Sequence, residues 1–248
     1  MILLDLYCCE GGAARGYKNA GFEVFGVDLL PKFAKRYAGD WFTAASALEV
    51  LTTLNAGGSV TFHNRAGESK AITLDDIMAS HASPPCQAYS ITKHGHSKQH
   101  PMLIEPTREL LEATGKPYVI ENVVGAPLND PTMLCWSMFY PPGAVIDEDG
   151  TPLRMERHRL FETNWPLTTP RADHHPKDVQ VAGSYGGARR DKWEARHVRK
   201  GGYVPAKHIQ EQLLGIDWMT QYGLYQSLPP VYTEWIGHQL ATHIIASR

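Results

Sequence analysis

Apolar and polar positions alternate in blocks along the first half of the chain, and each block has the length of a strand or a helix. Residues 2–7 form an apolar strand that runs into Glu10-Gly11-Gly12. Residues 13–20 have helical character, and Gly21 stands where a helix cap belongs. Residues 22–27 predict a second strand, ending on Asp28, and residues 44–54 a second helix. Residues 57–74, with Asn64-Arg65-Ala66-Gly67 at the centre, predict a β-hairpin. The run Ile77-Met78-Ala79-Ser80-His81-Ala82 predicts a buried strand, stopped by Pro84-Pro85. Residues 103–114 predict a helix closed by Gly115, and residues 118–120 a strand that ends on Glu121-Asn122-Val123. This alternation predicts an α/β fold: a mostly parallel, doubly wound, Rossmann-like sheet with helices on both faces.

Beyond residue 164 the texture changes. Residues 164–206 are rich in Gly, Pro, His, Arg and Lys and have little helical or strand periodicity, whereas regular patterning returns from Gln210. A chain of 248 residues can bury one core with a small appended lobe. The expected division is a catalytic and cofactor-binding domain over 1–163, a very small lobe over 164–209 and a return to the first domain over 210–248. The polar stretch from Ala88 to His100 is long for a strand–helix connection, as functional lids are.

Chemistry-bearing residues fall at the predicted strand ends. Glycines at the first turn let the backbone approach a ligand, the helix start offers free N–H groups, and Asp28 can accept bonds from a ribose diol. The spacing is not G-x-G-x-x-G, which argues against a dinucleotide. Cys86 sits in a rigid turn at the carboxyl end of a strand, and Glu121 ends the next one. A cysteine nucleophile beside an acid suits an electron-poor, protonatable ring: the sulfur adds while the acid serves a ring nitrogen.

Composition narrows the picture. No apolar run reaches the roughly eighteen residues of a membrane span, and Met1-Ile2-Leu3-Leu4-Asp5 lacks the basic start of a signal peptide. Four cysteines without a disulfide pattern fit a reducing cytoplasm. A net charge of −2 leaves nucleic-acid binding to be judged locally. Among twelve histidines, His174-His175 with Asp173 is the best metal candidate; adjacent side chains rarely converge on one ion, so no metal is expected.

In order, these residues resemble the DNA cytosine-5 methyltransferases over nearly the whole chain, and most of all the compact enzymes carried by bacteriophages and prophages. Asp5-Leu6-Tyr7-Cys8-Cys9-Glu10-Gly11-Gly12 resembles the motif that binds S-adenosylmethionine. Pro84-Pro85-Cys86-Gln87 is similar to the nucleophile motif, Glu121-Asn122-Val123 to the glutamate motif and Arg157-His158-Arg159 to the paired-arginine motif. The stretch after Pro229-Pro230, including Tyr232 and Glu234, resembles the last motif, which returns to the cofactor pocket. The resemblance implies that Cys86 attacks carbon 6 of a flipped cytosine, that Glu121 holds the ring nitrogen and exocyclic amine, and that Arg159 with Arg157 contacts the carbonyl oxygen or helps to ionise Cys86. It implies S-adenosylmethionine as cofactor, held by Asp5, Tyr7, Glu10, Gly11, Gly12, Asp28, Ser46, Pro84, Tyr232 and Glu234. It also implies double-stranded DNA as partner, met by Gln87 and Ser90, in a monomer working in the cytoplasm of a bacterial host. Three departures concern the grip on the cofactor: Cys9 replaces a usual glycine, Ser46 a usual acid, and residues 232–237 lack the usual asparagine.

The basic run Arg189, Arg190, Lys192, Arg196, Arg199 and Lys200, against Asp191 and Glu194, falls where the resemblance places target recognition. Phosphate contacts and base reading by so short a segment imply a target of about two to four base pairs. Two other readings remain open: the same catalysis on transfer RNA, and a DNA-binding protein without activity. A nicotinamide dehydrogenase would account for the first β-α-β unit but not for the ordered cysteine, glutamate and arginine motifs.

Overall fold

The computed structural model describes residues 1–88, 101–173, 175–186 and 203–247. A nine-stranded sheet with order β5-β4-β3-β2-β1-β6-β7-β11-β8 forms its centre. The five middle strands are parallel: β1 (Ile2–Leu6), β2 (Glu23–Asp28), β3 (Trp41–Ala44), β6 (Ile77–Ala82) and β7 (Tyr118–Asn122). The predicted hairpin, β4 (Val60–His63) with β5 (Ser69–Ile72), extends one edge antiparallel. At the other edge β11 (Arg159–Thr163) and β8 (Thr132–Leu134) run antiparallel to their neighbours. This is the doubly wound, Rossmann-like fold expected.

Alternation within each strand feeds two cores. Leu3, Val24 and Val119 face one side, where α1 (Gly12–Asn19) and α6 (Pro230–Ala246) contribute Tyr17, Tyr232, Ile236 and Leu240. Leu4, Phe25 and Ile120 face the other, against Val50, Leu51 and Leu54 of α2 (Ala47–Asn55) and Leu111 of α3 (Ile104–Ala113). The patterning expects a helix from residue 44; instead the chain makes strand β3 first, and Ser46 starts α2 by accepting the Glu49 N–H at 3.4 Å. The parallel strand β2 beside it makes 41–44 extended, an influence invisible locally.

One buried ion pair ties α3 to the sheet. Arg108 Nε and Nη2 donate to the two carboxylate oxygens of Glu162 on β11 at 2.7 and 2.8 Å, with both side chains almost wholly enclosed. Asn129 N donates to Glu162, and the Pro127 carbonyl and the Glu105 carboxylate also accept from Arg108.

A second core begins earlier than residue 164. Its three-stranded sheet, order β12-β10-β9, takes β9 (Val145–Ile146) and β10 (Pro152–Met155) from before β11 and only β12 (Gln180–Ala182) from after it. Ile209, Leu213 and Leu214 of α4 (Lys207–Leu214) pack on this sheet with Trp136, and Leu224 of α5 (Gln221–Gln226) closes the cluster. The lobe is therefore interleaved with the main sheet: the chain leaves it after β10 to add β11 and then returns. Ser90, Arg189, Arg190, Lys192, Arg196, Arg199 and Lys200 lie outside the described residues, as does His174.

Candidate active site

A cavity of about 630 Å³ opens at the carboxyl ends of the parallel strands, where β1 and β6 lie side by side and the strand order reverses. That is where open α/β sheets bind ligands. Asp5, Tyr7, Glu10, Gly12, Asp28 and Ser46 line one part of it, and Pro84, Cys86, Gln87, Glu121 and Arg159 the other.

The second group is tightly held. The Asn122 side chain donates to the Pro84 carbonyl at 2.9 Å, so the residue next to Glu121 fixes the loop that carries Cys86. Arg159 Nε stands 3.1 Å from Glu121 Oε1. Behind Glu121 a string of polar groups runs into the core: Ser83 bonds the carboxylate, His81 Nε2 lies 2.9 Å from Ser83 Oγ, and Tyr17 Oη lies 3.0 Å from His81 Nδ1. Burial draws the His81 imidazole down to about 3, so it is neutral. With Tyr17 donating to Nδ1, its proton sits on Nε2 and leaves the Ser83 hydroxyl free to donate to Glu121. Sequence reading took His81 for one position of an apolar strand, and its only signal was a polar residue in a buried run.

Burial pushes the Cys86 thiol up and the neighbouring Glu121 carboxylate pushes it further, while Arg159 and Arg157 oppose both. Burial likewise raises Glu121, against the pull of Arg159, Ser83 and Arg157. The arginines act on Cys86 in the expected direction, but in the free protein burial outweighs them and the thiol stays raised. Arg157 itself is buried and does not line the cavity. Its guanidinium donates to Ser184 O at 3.1 Å, Tyr225 O at 3.1 Å and Ser227 O at 2.6 Å. Since Tyr225 and Ser227 are cavity residues, Arg157 holds the wall rather than the contents.

At the other end, the loop after β1 is contorted: Tyr7, Cys9 and Gly11 all have positive φ, at 60°, 47° and 83°. Cys9 thus occupies a left-handed conformation that favours glycine, and its N–H donates to Asp28 Oδ2 at 3.1 Å. Gly12 is required by the chain itself, since a Cβ there would lie 2.5 Å from the Leu228 carbonyl oxygen. Glu10 is taken by the protein, accepting from Thr220 N and Oγ1 at 2.8 and 2.7 Å. Tyr7 Oη pairs with Thr107 at 2.7 Å. Tyr232 and Glu234 do not line the cavity: Tyr232 donates to the Arg157 carbonyl at 2.8 Å, and Glu234 accepts from Asn19 at 2.8 Å across α1 and α6. Sequence reading missed Leu29, Leu30, Phe33 and Leu48, and also Met219 and Tyr222 from the returning chain. The two exposed leucines directly after Asp28 were the available signal.

Two groups fit a cationic, hydrogen-bonding cofactor. Asp5 is buried, its Oδ2 accepts from Tyr37 Oη at 3.1 Å, and its Oδ1 has no partner among the described residues. Asp28 accepts one backbone N–H on each oxygen and keeps lone pairs free. Burial pushes the Asp5 carboxyl up to about 8, helped by Asp28 and opposed by the Tyr37 bond. Its folded value lies above the ordinary 3.8, so the folded chain keeps a proton that the unfolded chain has lost. Stability then falls by about 1.4 kcal/mol per pH unit between those two values. Asp5→Asn is expected to flatten this decline and to melt higher than the parent near pH 8 in thermal scans across pH. An unchanged decline would remove Asp5 as its source.

No family model matches the chain, and no curated protein matches it significantly. The fold does match solved structures. A prophage-encoded E. coli protein assigned as a DNA modification methyltransferase superposes with a TM-score of 0.59 at 12% identity, covering 99% of each chain. The Dnmt2 methyltransferase of S. pombe gives 0.51 at 11% identity, over 100% of this chain and 99% of its own. At these identities the likeness is one of fold.

Proposed function

We propose that the protein is an S-adenosylmethionine-dependent DNA cytosine-5 methyltransferase. The observation that carries this reading is a single cavity with Cys86, Glu121 and Arg159 at one end and Asp5 and Asp28 at the other. The order of the sequence motifs and a fold shared with methyltransferases support it.

The cofactor, when bound, supplies an electrophilic methyl group on a sulfonium. The unpartnered Asp5 oxygen suits its ammonium, whose positive charge favours release of the proton that burial keeps on Asp5; Asp28 suits its ribose hydroxyls, and Leu29, Phe33 and Leu48 an adenine. Cys86 Sγ forms a bond to carbon 6 of a cytosine extruded from the duplex, which the enzyme needs because that atom is unreachable in a stacked base. As this bond forms the thiol proton passes, by way of Glu121, to the ring nitrogen at position 3; burial raises the Glu121 carboxyl, which suits it to take up and hand on a proton. Arg159 neutralises the carboxylate that results. Once carbon 5 carries its methyl, the carbon-5 proton passes to water, the electron pair left behind expels Cys86 Sγ, and the proton on the ring nitrogen returns by way of Glu121, which restores the ring.

The direct test offers a labelled methyl donor with duplex DNA and with transfer RNA side by side. 5-Methylcytosine in the DNA digest is the expected product. Label in RNA alone would transfer the reading to RNA, and label in neither, with cofactor still bound, would leave a DNA-binding protein without activity.

Glu121→Gln separates the roles within the site. Methyl transfer should fall by about 10²–10⁴-fold with cofactor affinity nearly unchanged. At the same time iodoacetamide should alkylate Cys86 several-fold faster near neutral pH, because the carboxylate that raises the thiol is gone while Arg159 and Arg157 remain. Slower alkylation would contradict the assigned coupling.

A further inference from the structure

Outside the cavity, four metal-ligating side chains from three separate stretches of chain converge. Cys135 follows β8 and is buried, His158 sits between β10 and β11, and Asp173 and His175 come from beyond β11. One ligand atom from each lies within 4.8 Å of all the others. Cys135 Sγ is 3.3 Å from His175 Nε2, His158 Nε2 is 2.8 Å from Asp173 Oδ2, and His175 Nε2 is 3.0 Å from Asp173 Oδ1. The two imidazole rings stand edge to face, 5.1 Å apart at 75°.

A tetrahedral ion with bonds of about 2.0–2.3 Å separates its ligands by roughly 3.3–3.8 Å. From separations of 2.8 Å to at most 4.8 Å, the four atoms reach that spacing with shifts of up to about 1 Å. Outer partners of the kind that orient metal ligands are in place: Ser137 Oγ donates to Asp173, and His175 Nδ1 faces Glu156 Oε1 at 3.8 Å. An ion here would add to the hydrogen bonds that hold an irregular stretch of chain. Among the described residues, 164–179 contain no helix or strand, yet this stretch is held against the end of β8 and the loop before β11.

We propose that Cys135, His158, Asp173 and His175 bind one zinc ion in a closed, structural site. One sulfur, two imidazole nitrogens and one carboxylate oxygen are the donor set of a tetrahedral, borderline-soft divalent ion. Four protein ligands leave no open position, so the ion staples rather than reacts. Its ligand His158 lies between Arg157, which holds the cavity wall, and Arg159, which pairs with Glu121, so the staple fixes the segment from which both arginines project. The sequence-based expectation of no metal weighed His174 and His175 as a pair. The fold instead supplies Cys135 and His158, distant in sequence.

Elemental analysis of the full chain, grown with zinc and purified without chelator, should find about one zinc per molecule, falling below about a tenth in Cys135→Ala and in His175→Ala. Because a ligand variant can also misfold, the parent carries a second readout. Chelation should lower its Tm and added zinc should restore it. Cobalt(II) in place of zinc should give the visible bands of a tetrahedral site together with a sulfur-to-metal charge-transfer band that Cys135→Ser lacks. Parent protein without bound metal, whose Tm responds neither to chelator nor to zinc, would overturn the proposal. So would variants that keep the full complement of ion.

Discussion

Replacing Cys86 by serine is expected to lower methyl transfer by at least about 10³-fold while leaving the fold and DNA binding intact, on the scale of losing a catalytic nucleophile. The thiol is half-buried, with Glu121 raising it and Arg159 opposing, so the site is arranged for a soft nucleophile that becomes charged only as it attacks. A serine hydroxyl is far harder to ionise and a much weaker nucleophile than the thiol it replaces. A substrate cytosine with fluorine at carbon 5 provides the complementary result. Elimination requires loss of a proton from carbon 5, fluorine cannot leave in its place, and the parent enzyme should stay bonded to the DNA through Cys86. Peptide mass spectrometry locates the adduct. Attachment at any other residue, or undiminished turnover in the serine variant, would remove Cys86 from the mechanism.

Glu162→Ala should destabilise the protein by about 3–5 kcal/mol, because the buried Arg108 would lose its enclosed bidentate partner and keep only Glu105, which is largely exposed. The pair is bidentate and nearly closed to solvent, so water cannot replace the lost carboxylate, and the Asn129 N–H loses its acceptor as well. Much of the cost belongs to the unpaired charge rather than to the bond. Arg108→Leu combined with Glu162→Leu should therefore recover most of it. Denaturant unfolding of both variants decides the matter. A loss below about 1 kcal/mol in Glu162→Ala would place the pair with weak surface ion pairs. The active site feels this indirectly, since β11 carries both Glu162 and Arg159.

Most of the parallel sheet was legible because its strands are buried on both faces and each carries a mainly apolar run. β6 was predicted with its observed limits, and β1, β2 and β7 to within a residue or two. β3 was not legible, because four residues with no marked alternation become a strand only through pairing with β2. The second core was not legible for a similar reason. β9 and β10 are short, and what makes them a sheet is β12, which follows only after an intervening return to the main sheet.

In the candidate site, the residue types that carry chemistry were written locally: a cysteine after a proline pair, a glutamate ending an apolar strand, an acid after the second strand. Register and topology then decided what each one does. Period-two alternation sends Asp5 inward beside Tyr37, where it loses water and keeps a proton. The two arginines of one tripeptide part company, Arg157 bonding the backbone of the returning chain and Arg159 meeting Glu121 across paired strands. Tyr232 and Glu234 reach the sheet and α1 rather than the cavity, because α6 packs along α1 and turns them away from it. The sequence by itself determined the fold class and the order in which reactive residues are delivered to one sheet edge, since burial pattern and turn chemistry act over a few neighbouring positions. Only the tertiary structure decided which of those residues share a cavity, which are spent on holding it, and that Cys135, His158, Asp173 and His175 meet, because contacts between distant segments are set by the packing of whole elements.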